Sequence, residues 1–536
     1  MRVAVGLFLP VAAAILGCWW WLGAPVAMPQ SPLEAGEKLF CVSYTPFREG
    51  ETPLDLATQI NPSEIEEDFA RLSRISDCVR TYSTDFGLYR VADIAQRHGL
   101  KVIQGAWIGW DPKRNRREVE TAIALAKRFP DVIRAVVIGN ESLLRGEIAP
   151  ADLANLIRRV KAQISVPVTY ADVWELWLRY PEVHEAVDFV TVHILPYWEQ
   201  FPAAASDAAA YGDTVRRKVQ AAFPDKEILI GEVGWPSAGR MREGALPSPA
   251  NQARVAHDVL AVAKREHYRV SIIEAFDQPW KEELEGTVGG HWGLLDGRTR
   301  DFKFAWGVPV SDHPHWRLQA AAGVVLAAVV FGTALAVRRR EPLVNEPMLG
   351  RWIGVAATAL AADLPVGWAI TNVPIESLGI GGWIRSLLMV TLGVTGPILG
   401  TAALMARTAM PSFAQVIGPA EVRVPDPLKL ALGVLLMLLC VLAIQSALGL
   451  VFDPRYRDFP FAPLTAATVP FFVLSSVSPR RESRRALAEG MAAALLAGYA
   501  LYIVFDERLA NWQSLWLCAV FLMLAVTLSR SRNAPD

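Results

Sequence analysis

Past residue 316 the chain becomes a succession of apolar runs about twenty residues long, separated by short arginine-bearing loops. A bilayer core of roughly 30 Å takes about 20 apolar residues in helical form, because backbone groups left unpaired in lipid cost several kcal/mol each. The runs are 318–337, 352–371, 383–406, 430–450, 461–477, 487–505 and 511–528, and another, 3–22, opens the chain. The shortest, 461–477, carries Pro470. Arg2, Arg338 to Arg340, Arg407 with Arg423, Arg480, Arg481, Arg484 and Arg485, and Arg530 with Arg532 all fall on one side of successive runs. The positive-inside rule makes that side cytoplasmic and puts the intervening segment 31–315 outside; Arg455 and Arg457 run against it, landing on the outer side. Trp19, Trp20 and Trp21 at the far end of 3–22 suit the headgroup layer, so this run reads as a signal anchor, with a cleaved signal peptide as the alternative. Asp363, beside Pro365 inside a run, calls for a partner such as Arg385 or a water-filled cavity.

The expected organisation is therefore a signal anchor over 1–30, an outer domain over 31–315 and a transmembrane domain of about seven helices over 316–536, with the lipid bilayer as one partner. Lysine and arginine number 53 against 54 acidic residues, a net charge of -1, so there is no electrostatic footprint for nucleic acid. The five cysteines include no CxxC or other short ligand spacing, which argues against a structural metal site.

Within 31–315 short β-rich runs alternate with amphipathic helical stretches, the pattern of a parallel sheet with crossover helices. Strands are predicted at 40–44, 77–82, 102–106, 134–139, 166–170, 187–194, 227–231 and 271–275, with helices such as 63–75, 88–98, 117–128, 150–164 and 249–266 between them. Eight strands in a segment of this size predict a (β/α)8 barrel, and no glycine-rich dinucleotide fingerprint follows any strand to favour a doubly wound sheet. Cys41 and Cys78 stand near the starts of the first two strands. Outside the cytoplasm they form either a disulfide or two buried thiols.

Active sites of such barrels are built at the carboxyl ends of the strands. Those ends carry Tyr82, Trp107 with Trp110, Asn140 with Glu141, His193, Tyr197 with Trp198, Glu232 with Trp235, and Asp277, Trp280 and Lys281. Indoles and phenols offer flat platforms to sugar rings, and carboxylates and amides bind hydroxyls. Glu141 and Glu232 end the fourth and seventh strands, and a pair of carboxylates flanking a glycosidic bond is what its cleavage needs.

The segments GEVGWPSAG (231–239) and IGNES (138–142), with CVRTYSTD (78–85), TVHILPYWE (191–199), EAFDQPWK (274–281) and HWGL (291–294), resemble glycoside hydrolase family 17. The resemblance spans about 37–308. It implies retaining β-glycosidase chemistry on β-1,3-linked glucan, with Glu141 as acid/base, Glu232 as nucleophile, Asn140 on the sugar 2-hydroxyl, Tyr197 near the nucleophile and no cofactor. Gln278 stands where many relatives have Glu, and Gly289-Gly290 where plant members have another. Lys281 serves either a salt link near the mouth or a sugar contact, and His193 either core hydrogen bonding or orientation of the nucleophile. The multi-span tail resembles bacterial inner-membrane members associated with periplasmic β-glucan synthesis. That likeness implies a β-glucan transglucosylase working beside a membrane β-glucan synthase; a tethered β-1,3-glucan hydrolase and a glucan-binding scaffold or export component are the alternatives.

Overall fold

The computed structural model describes residues 2–340, 349–419, 426–477 and 486–530, apart from the side chains of Asp363 and Leu364. Arg423, Arg480, Arg481, Arg484, Arg485, Arg532 and the Asp363 side chain, used above for orientation and pairing, lie outside the described residues. The chain divides into two compact units. One comprises Val26–Gly239 and Gly244–Val310, the other Met1–Pro25, Arg240–Glu243 and Ser311–Asp536.

The first unit is a closed barrel of eight parallel strands: β1 (Cys41–Ser43), β2 (Cys78–Arg80), β3 (Lys101–Ala106), β4 (Ile133–Asn140), β5 (Val168–Val173), β6 (Val190–His193), β7 (Ile228–Val233) and β8 (Arg269–Ile272). Each pairs with the next, and β1 closes on β8 through Cys41 opposite Ser271 and Val42 opposite Ile272. Cys41, Cys78, Ile103, Ala135, Val137, Ala171 and Leu229 form one small cluster, separate from the large core between strands and helices. That split follows from the two-residue period of a strand, which sends alternate side chains to opposite faces. Where the unit begins and ends, Val26 and Val310 exchange backbone hydrogen bonds of 2.8 and 3.0 Å, bringing the two chain ends together.

The crossover helices start where their caps dictate. Asn61, Asp111 and Ser248 each accept a hydrogen bond from a first-turn amide, and each is followed by a proline whose fixed φ suits the first helical position. This is why the helix Pro112–Arg128 begins five residues before the predicted 117: its first turn is polar and escapes the apolar periodicity. β5 runs to Val173 rather than 170, which brings Asp172 inside the strand.

Cys41 and Cys78 are joined in a disulfide 37 residues apart in sequence, and both are fully buried. Closing a loop of that length restricts the unfolded chain by about 2–4 kcal/mol. Cys41→Ser is therefore expected to lower the melting temperature of the barrel by about 5–10 °C, followed by near-ultraviolet circular dichroism in detergent. An unchanged melting temperature would mean that the crosslink adds nothing to stability.

Among the described residues of the second unit, seven helices are long and apolar enough to cross a membrane: Arg2–Leu22, Trp316–Arg340, Leu349–Glu376, Gly379–Ala406, Pro427–Phe452, Leu487–Glu507 and Trp512–Ser529. An eighth apolar helix, Phe461–Val477, has 17 residues and is shorter than the usual span. It is seated by small residues. Cβ atoms added at Gly393 and Gly400 would come within 3.3 Å of Ala466 and 2.8 Å of Pro470, so the two backbones approach as glycine-bearing membrane helices do.

Candidate active site

Both strand-end carboxylates sit where their strands lose regular pairing. β4 slips against β5 between Val137 and Asn140, and β7 slips against β8 between Ile230 and Val233. Such irregularities turn a side chain out of strict alternation. On β4 the slip is completed by positive φ at Gly139 (86°) and Glu141 (53°), which swings Glu141 off the strand end. On β7 a Cβ at Gly231 would lie 2.4 Å from Thr191 Cγ2, so glycine is required there for the next residue, Glu232, to reach into the barrel.

The residue that organises the site is Arg80, at the end of β2, with no solvent exposure. Its Nη1 donates to Glu232 Oε1 at 2.8 Å and to the Gly231 carbonyl at 3.2 Å, and its Nη2 donates to Asn140 Oδ1 at 2.5 Å. Tyr82 donates its hydroxyl to the same Glu232 Oε1 at 2.8 Å, and the guanidinium lies 4.7 Å from the centre of the Tyr82 ring. His193 bridges the two carboxylates: Nδ1 is 2.7 Å from Glu141 Oε1, and Nε2 is 3.5 Å from Glu232 Oε1. Nε2 also faces Arg80 Nη2 at 3.2 Å. A carboxylate only accepts, so the Nδ1 of His193 carries a proton directed at Glu141.

Burial alone would raise the Glu232 carboxyl. A charge on His193, the Arg80 guanidinium with its hydrogen bond, and Lys281 more than offset it and hold the group at about 2. Burial, reinforced by the charge of Glu232, holds the Tyr82 phenol well above its ordinary value, so it remains a donor. Glu141 is half-buried, its side chain 24% exposed, and opens toward solvent. One oxygen or nitrogen from each of Glu141, His193 and Glu232 lies within 4.8 Å of the others, a spacing a cation could use. Arg80 already sets a fixed positive charge against Glu232 and His193 there.

The other sequence candidates divide into groups. Tyr82 and His193 meet the carboxylate pair directly, and Asn140 is joined to it through Arg80. Lys281 makes the salt link rather than standing free. Its Nζ is 2.7 Å from the buried Glu274, and burial, which lowers it, is outweighed by Glu274 and Glu285, so the ammonium is retained. Trp280 donates to Gln278 Oε1 at 2.9 Å. Asp277 is held inside by Lys303 at 2.6 Å and the Gly293 amide at 2.9 Å; burial nonetheless raises it to about 6. Tyr197 and Trp235 are buried, Tyr197 packing edge-on against Trp198, Trp235 and Trp292, and Trp235 donating to the Leu246 carbonyl. Trp107 is half-buried beneath the Arg145 guanidinium, 4.2 Å from its ring centre.

Arg80 and Glu274 were not singled out from sequence. The signal for Arg80 was present: an arginine inside the short strand Cys78-Val79-Arg80 cannot be buried without anionic company.

Residues 41–293 match the BtgE/BtgC glycoside hydrolase domain. A glucan 1,3-beta-glucosidase of Candida albicans is 26% identical over 255 residues, covering 43% of this chain and 82% of that protein. A probable beta-glucosidase, btgE, of Aspergillus fumigatus is 26% identical over 262 residues, covering 48% of this chain and 45% of that protein. Among solved structures, the glycoside hydrolase family 17 beta-1,3-glucanosyltransferase from Rhizomucor miehei is 25% identical with a TM-score of 0.45, over 51% of this chain and 98% of that one.

Proposed function

We propose that this protein, whose residues 41–293 match the BtgE/BtgC glycoside hydrolase domain, cleaves β-1,3-glucan by double displacement and passes the glucosyl chain to a sugar acceptor at the outer face of a bacterial inner membrane. The observation that carries the reading is the carboxylate pair: Glu141 and Glu232 present oxygens within 4.8 Å of one another. Retaining glycosidases need carboxyl groups about 5–5.5 Å apart, whereas inverting ones leave about 6.5–9.5 Å for a water. The glucan 1,3-beta-glucosidase relatives support the substrate class.

Each neighbour has a part. Arg80 and Tyr82 keep Glu232 ionised and aim one of its oxygens, leaving the other for the anomeric carbon. Glu141, oriented by His193 Nδ1–H, protonates the departing oxygen and later takes a proton from the acceptor. With Asn140 Oδ1 engaged by Arg80, its amide NH₂ is the group left for the sugar 2-hydroxyl. Tyr197, Trp198 and Trp235 back the floor beneath the nucleophile, while Trp107, Trp280 and Lys281 shape the rim and Asp277 braces it from inside through Lys303 and the Gly293 amide. The multi-span tail favours synthesis over digestion, since a hydrolase needs at most one anchor, and it suits work beside a membrane β-glucan synthase.

The test is product analysis of the full chain in detergent with a linear β-1,3-gluco-oligosaccharide, by mass spectrometry for size and NMR for linkage. Products longer than the substrate, or new β-1,6 signals, are expected. Shorter fragments alone would make the protein a tethered hydrolase, and no cleavage would leave a glucan-binding component. Glu141→Gln is expected to slow cleavage of glucan by about 10²–10⁴-fold, while an aryl glucoside with a good leaving group, which needs no protonation, loses far less. Equal losses on both substrates would remove Glu141 from the acid role.

A further inference from the structure

Trp110 lies in the loop between β3 and the helix Pro112–Arg128 and is 72% exposed. A single exposed apolar residue is ordinary in itself; the setting of this one is not. The residues around it are pinned. Gly109 and Asn115 exchange two hydrogen bonds of 2.7 and 2.8 Å, and Asp111 caps the helix that follows. On the other side Ser142 Oγ donates to the Ile108 carbonyl at 2.8 Å, tying the β3 loop to the residue next to Glu141. The indole thus projects into solvent from a fixed backbone fastened to the Glu141 turn.

The side of the cleft matters because of what Glu141 does. A group that protonates the leaving oxygen stands on the leaving-group side, and by microscopic reversibility the acceptor hydroxyl enters where that group left. We propose that Trp110 is the platform of an acceptor-sugar subsite on the Glu141 side, and that it sets how the glucosyl-enzyme divides between a saccharide and water. This rests on the double-displacement reading above. In the step concerned the acceptor oxygen bonds to the anomeric carbon, the bond to the Glu232 carboxylate breaks with its electron pair returning to that carboxylate, and the hydroxyl proton passes to Glu141. Water enters without a platform, whereas a sugar ring gains from the face of the indole, so the platform acts on transfer selectively.

The experiment uses the full chain in detergent, a β-1,3-gluco-oligosaccharide donor and rising concentrations of a β-1,3-linked glucotriose acceptor, with transfer and hydrolysis products counted by mass spectrometry. Trp110→Ala is expected to lower the transfer-to-hydrolysis ratio about tenfold and to raise the acceptor concentration for half-maximal transfer, while Trp110→Tyr restores most of both. A ratio in Trp110→Ala equal to that of the unsubstituted protein would overturn the proposal. So would an unsubstituted protein that cleaves donor yet makes nothing longer at any acceptor concentration, a result that leaves the cleavage reading standing. Absence of cleavage would remove both.

Discussion

Glu232→Ala is expected to lower glucan cleavage by at least about 10⁴-fold, and sodium azide is expected to restore turnover of an activated aryl β-glucoside with α-glucosyl azide as product. The size of the loss follows from the place of the residue. Glu232 is 5% exposed and holds one oxygen against Arg80 and Tyr82, and no other described carboxylate is bound by both. Removing the side chain leaves a space beside the anomeric carbon that azide can enter, and its attack inverts the β-glucoside to the α-azide just as the natural first step inverts it to the α-linked glucosyl-enzyme. Undiminished cleavage by Glu232→Ala, or rescue yielding the β-azide, would show that the nucleophile lies elsewhere.

The second large effect belongs to Arg80. Arg80→Met leaves Glu232 in the same buried place without its closest cation, and burial on its own raises a carboxyl. In the unsubstituted protein the Glu232 carboxyl is depressed to about 2, so its ionised form is lost only as pH falls through that value. Without Arg80 the loss begins at higher pH. The acidic limb of kcat/KM should move up by more than about one pH unit, with a drop of about 10²–10³-fold at neutral pH. Breaking a buried ion pair also destabilises, by about 3–5 kcal/mol, so Arg80→Lys is the companion variant. It keeps the charge but loses the fork that reaches Glu232 and Asn140 together, and should give a smaller shift of the limb with a marked loss of rate. An acidic limb in Arg80→Lys and Arg80→Met that stays where it began would contradict the role given to Arg80.

Much of this arrangement was legible in the residues. The eight strands could be read from short β-rich runs, and Glu141 and Glu232 stood out because carboxylates at strand ends, among aromatic residues, have few reasons to be there. The limits were physical. Strand alternation assigns faces by counting in twos, and the register slips at Gly139 and Gly231 break the count, so the way Glu232 enters the barrel could not be derived from the period. Arg80 was read as part of a matching segment rather than as a charge needing partners, though its position in a strand between buried neighbours contained that information. Aromatic residues at strand ends were read uniformly as platforms. Exposure separates them: Tyr197 and Trp235 are spent on packing, Trp107 lies under Arg145, and Trp110 keeps its face free. Composition cannot distinguish an indole that supports a floor from one that meets a ligand. Asp277 shows the same limit, since its partner Lys303 is 26 residues away in sequence.

The central claim is that Glu232 forms a covalent bond to glucose while Glu141 manages the proton. The most direct measurement is peptide mapping by mass spectrometry after reacting the full chain in detergent with a 2-deoxy-2-fluoro-β-glucosyl donor, whose glycosyl-enzyme breaks down slowly. The expected result is a fluoroglucosyl adduct on the peptide containing Glu232, absent from Glu232→Gln. An adduct on a different residue, or release of the α-anomer as the first product of glucan cleavage, would contradict it.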